Sequence, residues 1–416
     1  MTAGPTARPG RITAPRTTRL TLPGTSSLVR PGLSRRSFLS TMGMGGAAAF
    51  LAACSTPGIG VGSWNPVRDS SATDMTVTWS NWPFYIDIDE TDSSVRPTLV
   101  AFTEATGINV TYIEDVNDND EYFAKIQPQI TGGQAIAADT FVVTDWMAAK
   151  LIRLGFVQEL DYANMPNAAA NLDLTLKDIS YDPGRKKSLT WQSGLAGIAC
   201  NPDAFGGQEV ASMDQMLTDP TLRGKVTCLT EMRDTVGLTM LDMGFDIEDF
   251  TFEQFDRAIA KLQKAVDSGQ IRRFTGNDYG ADLAVGNVIA CVGWTGDVIS
   301  LQADSPNLQL VIPDAGCTLW SDNFVIPIRT PHKANAEKLI DWYFQPEIAA
   351  AAADYIAFIS PVVGVKDAMA ELDPELLQDP LVFPDDATLA KAKVFMALTE
   401  EEENRCNRAF ATLTGA

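Results

Sequence analysis

Met75-Thr76-Val77-Thr78-Trp79 begins the stretch whose pattern sets the fold, and that stretch runs on to residue 113. Apolar and polar residues alternate across 75–79, the period of a half-buried strand. Over 96–106, Leu99, Val100 and Phe102 gather as on one helix face, and Gly107 supplies a left-handed stop. A second strand is predicted over 108–113. Strand, helix and strand in that order form a βαβ opening, whose crossover makes the two strands parallel.

The alternation continues downstream. Short strands are predicted over 140–143, 195–200, 225–229, 288–292, 309–312 and 323–327, and a helix over 146–154 ended by Gly155. The clearest helix spans 252–267. Thr251 and Gln254 can close a capping box there, and Phe255, Ile259, Leu262 and Val266 form one stripe. Further helices are predicted over 334–344, 346–355, 386–397 and 401–413. Glu400–403 stands at the start of the last, where acidic residues suit the helix dipole. Strands alternating with helices predict an α/β fold with mainly parallel sheets, with ligand groups beyond the strand carboxyl ends.

Upstream, Ser34-Arg35-Arg36-Ser37-Phe38-Leu39 precedes a weakly apolar run that ends in Leu51-Ala52-Ala53-Cys54. Paired arginines before an apolar region are the mark of twin-arginine export, and a small-residue box ending in Cys is that of a lipoprotein. Residues 1–53 are therefore expected to be a cleaved leader, with Cys54 as the lipid anchor. The chain between Phe38 and Ala53 is too short and too rich in Gly and Ala to span a membrane stably. Residues 54–74, rich in Gly, Ser and Pro, read as a flexible tether. The expected location is the outer face of the cytoplasmic membrane, in the periplasm or at the cell surface.

Removing the leader leaves about 360 residues, enough for two domains with separate cores. The leader holds seven of the 32 basic side chains and none of the 53 acidic ones, so the mature chain is more acidic than the full chain's net charge of −21. Such a field repels nucleic acid and anionic lipid and concentrates cations. Beyond Cys54, Cys200, Cys228, Cys291, Cys317 and Cys406 form no CxxC pair. Zinc and redox motifs thus lack support, and no disulfide pairing can be named. His332 is the single histidine, so His-based triads and His-rich metal centres are excluded. It reads as a solvated loop residue. No cofactor is implied.

Trp82, Trp146, Trp294 and Trp320 stand at or just after predicted strands. Glu231 and Asp234 follow the strand that ends at Leu229, and Asp322 follows Trp320 by two residues. Aromatic faces attract alkylammonium groups and carboxylates supply their charge partner, the mixture that a flexible diamine needs. Glu231 and Asp234 could instead serve an extracytoplasmic hydrolase as an acid–base pair.

In this order the residues resemble the polyamine-binding subfamily of bacterial solute-binding proteins, the spermidine/putrescine receptors of ABC importers. The resemblance is low in identity but collinear over 75–416. Asn81-Trp82-Pro83-Phe84-Tyr85 stands where that family has Asn-Trp-x-x-Tyr, whose Trp and Tyr line the cleft. Thr144 and Trp146 fall on a Ser and a Tyr that contact ligand. Thr230-Glu231-Met232-Arg233-Asp234 falls on Thr-Asp-x-Arg-Glu, and Gly293-Trp294 matches an aromatic wall. Trp320-Ser321-Asp322 matches a Trp-x-Asp whose Asp pairs with an amine. Three positions depart. Pro83-Phe84 replaces a pair that carries a carboxylate in spermidine-selective members. Phe358 stands where a Tyr is expected, and Phe395-Met396 where a Gln is expected.

The resemblance implies a two-lobed periplasmic-binding-protein-like fold with a hinge and an interlobe cleft. Lobe 1 is expected over 75–192 and 322–365, and lobe 2 over 193–321 and 366–416. The implied ligand-binding set is Trp82, Tyr85, Thr144, Trp146, Glu231, Asp234, Trp294, Trp320, Asp322 and Phe358. A monomer would close around a putrescine-like or spermidine-like cation, or another amine-bearing solute. It would deliver that ligand to a permease coupled to an ATPase, doing no chemistry on it. Changing Arg35 and Arg36 together to Lys is expected to leave precursor in the cytoplasm. Cys54→Ala is expected to abolish lipid labelling, and a Cys54→Ala protein that stays lipid-labelled and membrane-bound overturns the anchor assignment.

Overall fold

The computed structural model describes residues 67–89, 91–276 and 278–415. The leader, Cys54 and most of the expected tether lie outside the described residues. In chain order the strands are β1 (Thr76–Asn81), β2 (Asn109–Glu114), β3 (Thr140–Thr144), β4 (Asp178–Ile179), β5 (Asp182–Pro183) and β6 (Ser188–Cys200). They continue as β7 (Val226–Leu229), β8 (Ile271–Thr275), β9 (Ala290–Trp294), β10 (Gln309–Val311), β11 (Cys317–Val325) and β12 (Ala392–Lys393). One sheet runs in the order β2-β1-β3-β11-β6-β9-β7-β8, with β10 on β6 and β12 on β11.

The βαβ opening forms as the sequence predicts. β1 and β2 pair in parallel from Thr76↔Asn109, and the helix Pro97–Thr106 joins them and ends on Gly107 in the left-handed region. The helix Phe252–Asp267 carries the expected capping box between Thr251 and Gln254. The middle of the sheet departs from expectation. β3–β11, β11–β6 and β6–β9 are all antiparallel. Parallel pairing holds the flanks and the short β11–β12 pair, while the two central strands pass between the lobes in opposite directions.

Those two strands are also longer than their apolar pattern suggests. All 13 residues of β6 are buried, including Ser188, Thr190, Gln192 and Ser193. Burial of polar strand residues needs partners. Arg185, itself 1% exposed, provides some of them. Its guanidinium donates to Thr190 Oγ1 at 2.6 Å and to Asn323 Oδ1 at 2.8 Å, tying β6 to β11. The helix predicted over 386–397 stops at Lys391, because Ala392 and Lys393 leave it to pair with β11.

Separate cores sit on the two halves of the sheet. One contains Trp79, Phe102, Trp191, Phe324 and Tyr343, with a satellite around Phe141, Met147 and Phe156. The other contains Leu195, Cys228, Val236, Phe255, Leu262, Val292 and Cys406. β6 leaves the first core at Trp191 and joins the second at Leu195, while β11 goes from the second at Cys317 to the first at Phe324. All five described cysteines are free and buried. Among the described residues no helix is long and apolar enough to cross a membrane.

Two loop readings change. The last residues expected in the tether are docked: the Ser70 amide donates to Pro331 O at 2.7 Å, and Ser71 is buried. His332 is clamped rather than solvated. Its Nδ1 lies 3.1 Å from both Asp139 oxygens and its Nε2 lies 3.1 Å from Asp74 Oδ2. Burial opposes the imidazolium charge, but Asp139 and then Asp74 outweigh it and raise the His332 pKa. A group with a raised folded-state pKa adds stability below its unfolded value, about 6.5. That stability is lost as pH rises through the folded value. Wild type is therefore expected to exceed His332→Gln in Tm most clearly near pH 5.5, with the gap shrinking towards pH 8.5. A pH-independent gap in thermal unfolding overturns this account.

Candidate functional site

The expected site residues collect where strands end. Trp82 follows β1, Thr144 closes β3, and Glu231 follows β7 as N-cap of the helix Met232–Asp242. Trp294 closes β9 and caps the helix Thr295–Gln302. Trp320 and Asp322 lie within β11, at the passage between the two cores. Asp322 pairs in register with Thr144 on one side and Gln192 on the other, beside a register shift at Asp322/Asn323.

Asp322 is the most exacting group in this arrangement. It is 6% exposed, and its Oδ1 has no hydrogen-bond partner. Burial pushes its pKa up to about 7. The Thr144 and Tyr85 hydroxyls beside it favour the charged form, while Asp145 and Asp234 disfavour it. The Tyr85 hydroxyl faces Asp322 and feels the charges of both Asp322 and Asp297. A buried carboxylate oxygen without a partner is poorly satisfied until a further donor arrives.

Tyr85, Phe358 and Trp320 form a run of edge-on ring contacts that begins beside this carboxylate. Phe358 meets Tyr85 edge-on at 5.7 Å and Trp320 at 5.1 Å. Trp320 has room only because residue 194 is glycine: a Cβ there would stand 2.3 Å from Trp320 Cζ2 and 2.9 Å from Phe358 Cδ1. Trp294 packs against both cores.

Asp234 has a different place from the one expected. Its Oδ2 accepts from Trp294 Nε1 at 2.8 Å and its Oδ1 from Thr318 Oγ1 at 2.5 Å. Both oxygens are used in fixing the indole of the wall, so Asp234 positions Trp294. Glu231 caps its helix by accepting from the Arg233 amide, and burial pushes its pKa up to about 8. Trp146 is not an open wall. The Arg233 guanidinium sits 4.3 Å from its ring centroid and Lys150 Nζ 5.9 Å away. Phe84 adopts a left-handed backbone and is 70% exposed, so it points to solvent.

Asp297 is the acidic residue absent from the expected set. It lies in the first turn after Trp294, accepts from the Tyr279 hydroxyl at 2.8 Å, and burial pushes its pKa up to about 6. The available signal was its place three residues after a wall tryptophan at a strand–helix junction. Among the described residues no cluster of His, Cys, Asp and Glu could hold a metal ion.

Gly194→Ala is expected to displace Trp320 and Phe358, the latter a member of the first core, while the second core is left intact. Ligand affinity should fall at least about tenfold, the scale of one lost aromatic wall. Titration calorimetry checks it, and unchanged affinity overturns the role given to the ring pair.

Residues 98–384 match the family of bacterial extracellular solute-binding proteins. A spermidine/putrescine-binding periplasmic protein of Salmonella typhimurium is 25% identical over 320 residues, covering 76% of this chain and 86% of that protein. A putrescine/agmatine-binding protein of Pseudomonas aeruginosa is 26% identical over 307 residues, covering 70% and 80%. The solved spermidine/putrescine substrate-binding protein of Streptococcus pneumoniae superposes with a TM-score of 0.67 at 22% identity, over 82% of this chain and 98% of that one. That likeness establishes the two-lobed periplasmic-binding-protein-like architecture. With a matched region covering most of the folded body, the chain belongs to the bacterial extracellular solute-binding protein family.

Proposed function

We propose that this protein is the lipid-anchored, twin-arginine-exported receptor of an ABC importer, and that it binds a polyamine in the cleft crossed by β6 and β11. Lobe 1 is then 75–192 with 322–365, and lobe 2 is 193–321 with 366–416. The separate cores on either side of residues 192–194 and 318–323 support these limits. Hinge motion at the two shared strands would bury the ligand, and the closed form would engage a permease and, through it, an ATPase.

One observation carries the ligand assignment. Asp322 is a desolvated carboxylate with a free oxygen, beside the Tyr85 hydroxyl and two residues from Trp320, whose ring meets Phe358. An ammonium group answers it in charge, in hydrogen-bond donors and in attraction to the ring faces. The relatives' polyamine ligands point the same way. Pro83-Phe84 brings no carboxylate and Phe84 faces solvent, which favours a short diamine such as putrescine over spermidine.

Removing one partner of a buried charge pair costs about 3–5 kcal/mol. Asp322→Asn is thus expected to weaken putrescine binding by at least about a hundredfold in calorimetric titration. The pH dependence follows from the raised pKa values of Asp322, about 7, and Asp297, about 6. A bound ammonium favours the ionised carboxylates, so binding should release protons near neutral pH. Affinity should then rise from pH 5 to pH 8 and level off. Titration in buffers of different ionisation enthalpy reads the released protons. No heat with any di- or polyamine, or full affinity in Asp322→Asn, overturns the polyamine assignment in favour of another solute.

A further inference from the structure

Gln192 is not among the expected ligand-binding residues, but the strand register sets it against Asp322. The two pair directly across β6 and β11. Residues opposite each other in an antiparallel pair put their side chains on the same face, with Cβ atoms about 5 Å apart. Gly194 and Trp320, each two residues away along its strand, share that face, where the Trp320 ring fills the space beside residue 194. Ser193 and Ser321 lie between them and face the other way, with their hydroxyls 2.7 Å apart. Gln192 is 1% exposed, and its Oε1 has no hydrogen-bond partner. Asp322 Oδ1, on the neighbouring strand, has none either.

Two buried acceptors side by side cannot bond each other. An amide carbonyl and an ionised carboxylate both need a hydrogen from elsewhere, and leaving either unanswered in a dry interior is costly. A primary ammonium carries three N–H donors, so one nitrogen answers both oxygens and also brings the charge that Asp322 lacks. Gln192 adds an acceptor without adding charge. It therefore reads how many N–H bonds a cation carries. Resting on the polyamine reading above, we propose that Gln192 is a ligand-binding residue that selects primary ammonium groups, one N–H going to Asp322 Oδ1 and a second to Gln192 Oε1. A tertiary ammonium has a single N–H. It satisfies Asp322 but leaves the amide oxygen buried and bare, so a diamine methylated at both ends binds less well. The Trp320 ring on the same face attracts either kind of cation, so the discrimination comes from the pair of acceptors.

The probes are putrescine and tetramethylputrescine, which carries two methyl groups on each nitrogen, so that neither end can serve both oxygens. In calorimetric titrations of the mature protein, wild type should bind putrescine more tightly. Gln192→Met keeps the length of the side chain and removes the acceptor. It should lower the putrescine-to-tetramethylputrescine affinity ratio at least about tenfold, the scale of one hydrogen bond to a charged group. An unchanged ratio, or an equal loss for both amines, overturns the proposal. Thermal unfolding without ligand separates this role from a structural one. An oxygen with no partner gives nothing to the ligand-free fold, so at least one of Gln192→Met and Gln192→Leu should hold or raise Tm. A lower Tm in both variants shows that the amide is answered from within the protein, and overturns the proposal. If wild type binds neither amine, the polyamine reading falls and takes this role with it. If wild type binds putrescine and the ratio does not move in Gln192→Met, this role falls alone.

Discussion

A carboxylate taken out of water is the constraint around which the cleft is arranged. Moving a charge away from solvent costs several kcal/mol even after the protein relaxes. Asp322 meets that cost by holding its proton more tightly, and it keeps one oxygen without a donor. A well-packed interior does not ordinarily keep such a group. It is retained here beside a register shift and the Tyr85 hydroxyl, where a cation from outside would answer its charge and its free oxygen at once.

The same constraint explains why the chain passes between its two cores where it does. A binding cleft between lobes needs strands that belong to both, and β6 and β11 are those strands. Their antiparallel pairing places Trp320 opposite Gly194 and Asp322 opposite Gln192. The acid is thereby fixed by strand pairing on both sides and the ring residue by pairing with β6, not by a loop. Gly194 matters for what it lacks, since any side chain there would fill the space of the Trp320 ring. Relative motion of the lobes would act on this seam, while the βαβ flanks move as units.

Much of the architecture was legible because local periodicity and burial agree in the flanks. β1, the helix Pro97–Thr106 and β2 show one face to the core and follow their patterns. The seam was less legible. β6 is buried on every face, so Ser188, Thr190 and Gln192 carry no alternation, and the partners of Ser188 and Thr190 come from Arg185 and β11, distant in sequence or off the strand. Asp322 and Trp320 were readable as a close pair. The roles of Asp234 and Trp146 were not, because neither the Trp294 hydrogen bond nor the Arg233 stack leaves a trace in sequence spacing. Asp297 stood next to a recognised wall, but only the fold turns it towards Tyr85.

The acidic residues of the cleft then fall into distinct electrostatic states. Asp234 accepts from a protein donor on each oxygen and serves as a strut for an indole. Glu231 and Asp145 share the field of Arg233, which lowers the cost of their charge without any ligand. Asp322 and Asp297 have no cation of the protein's own among the groups that shift them, and burial alone dominates their pKa values. A count of acidic residues in the sequence therefore overstates the carboxylates that lack a cation of the protein's own.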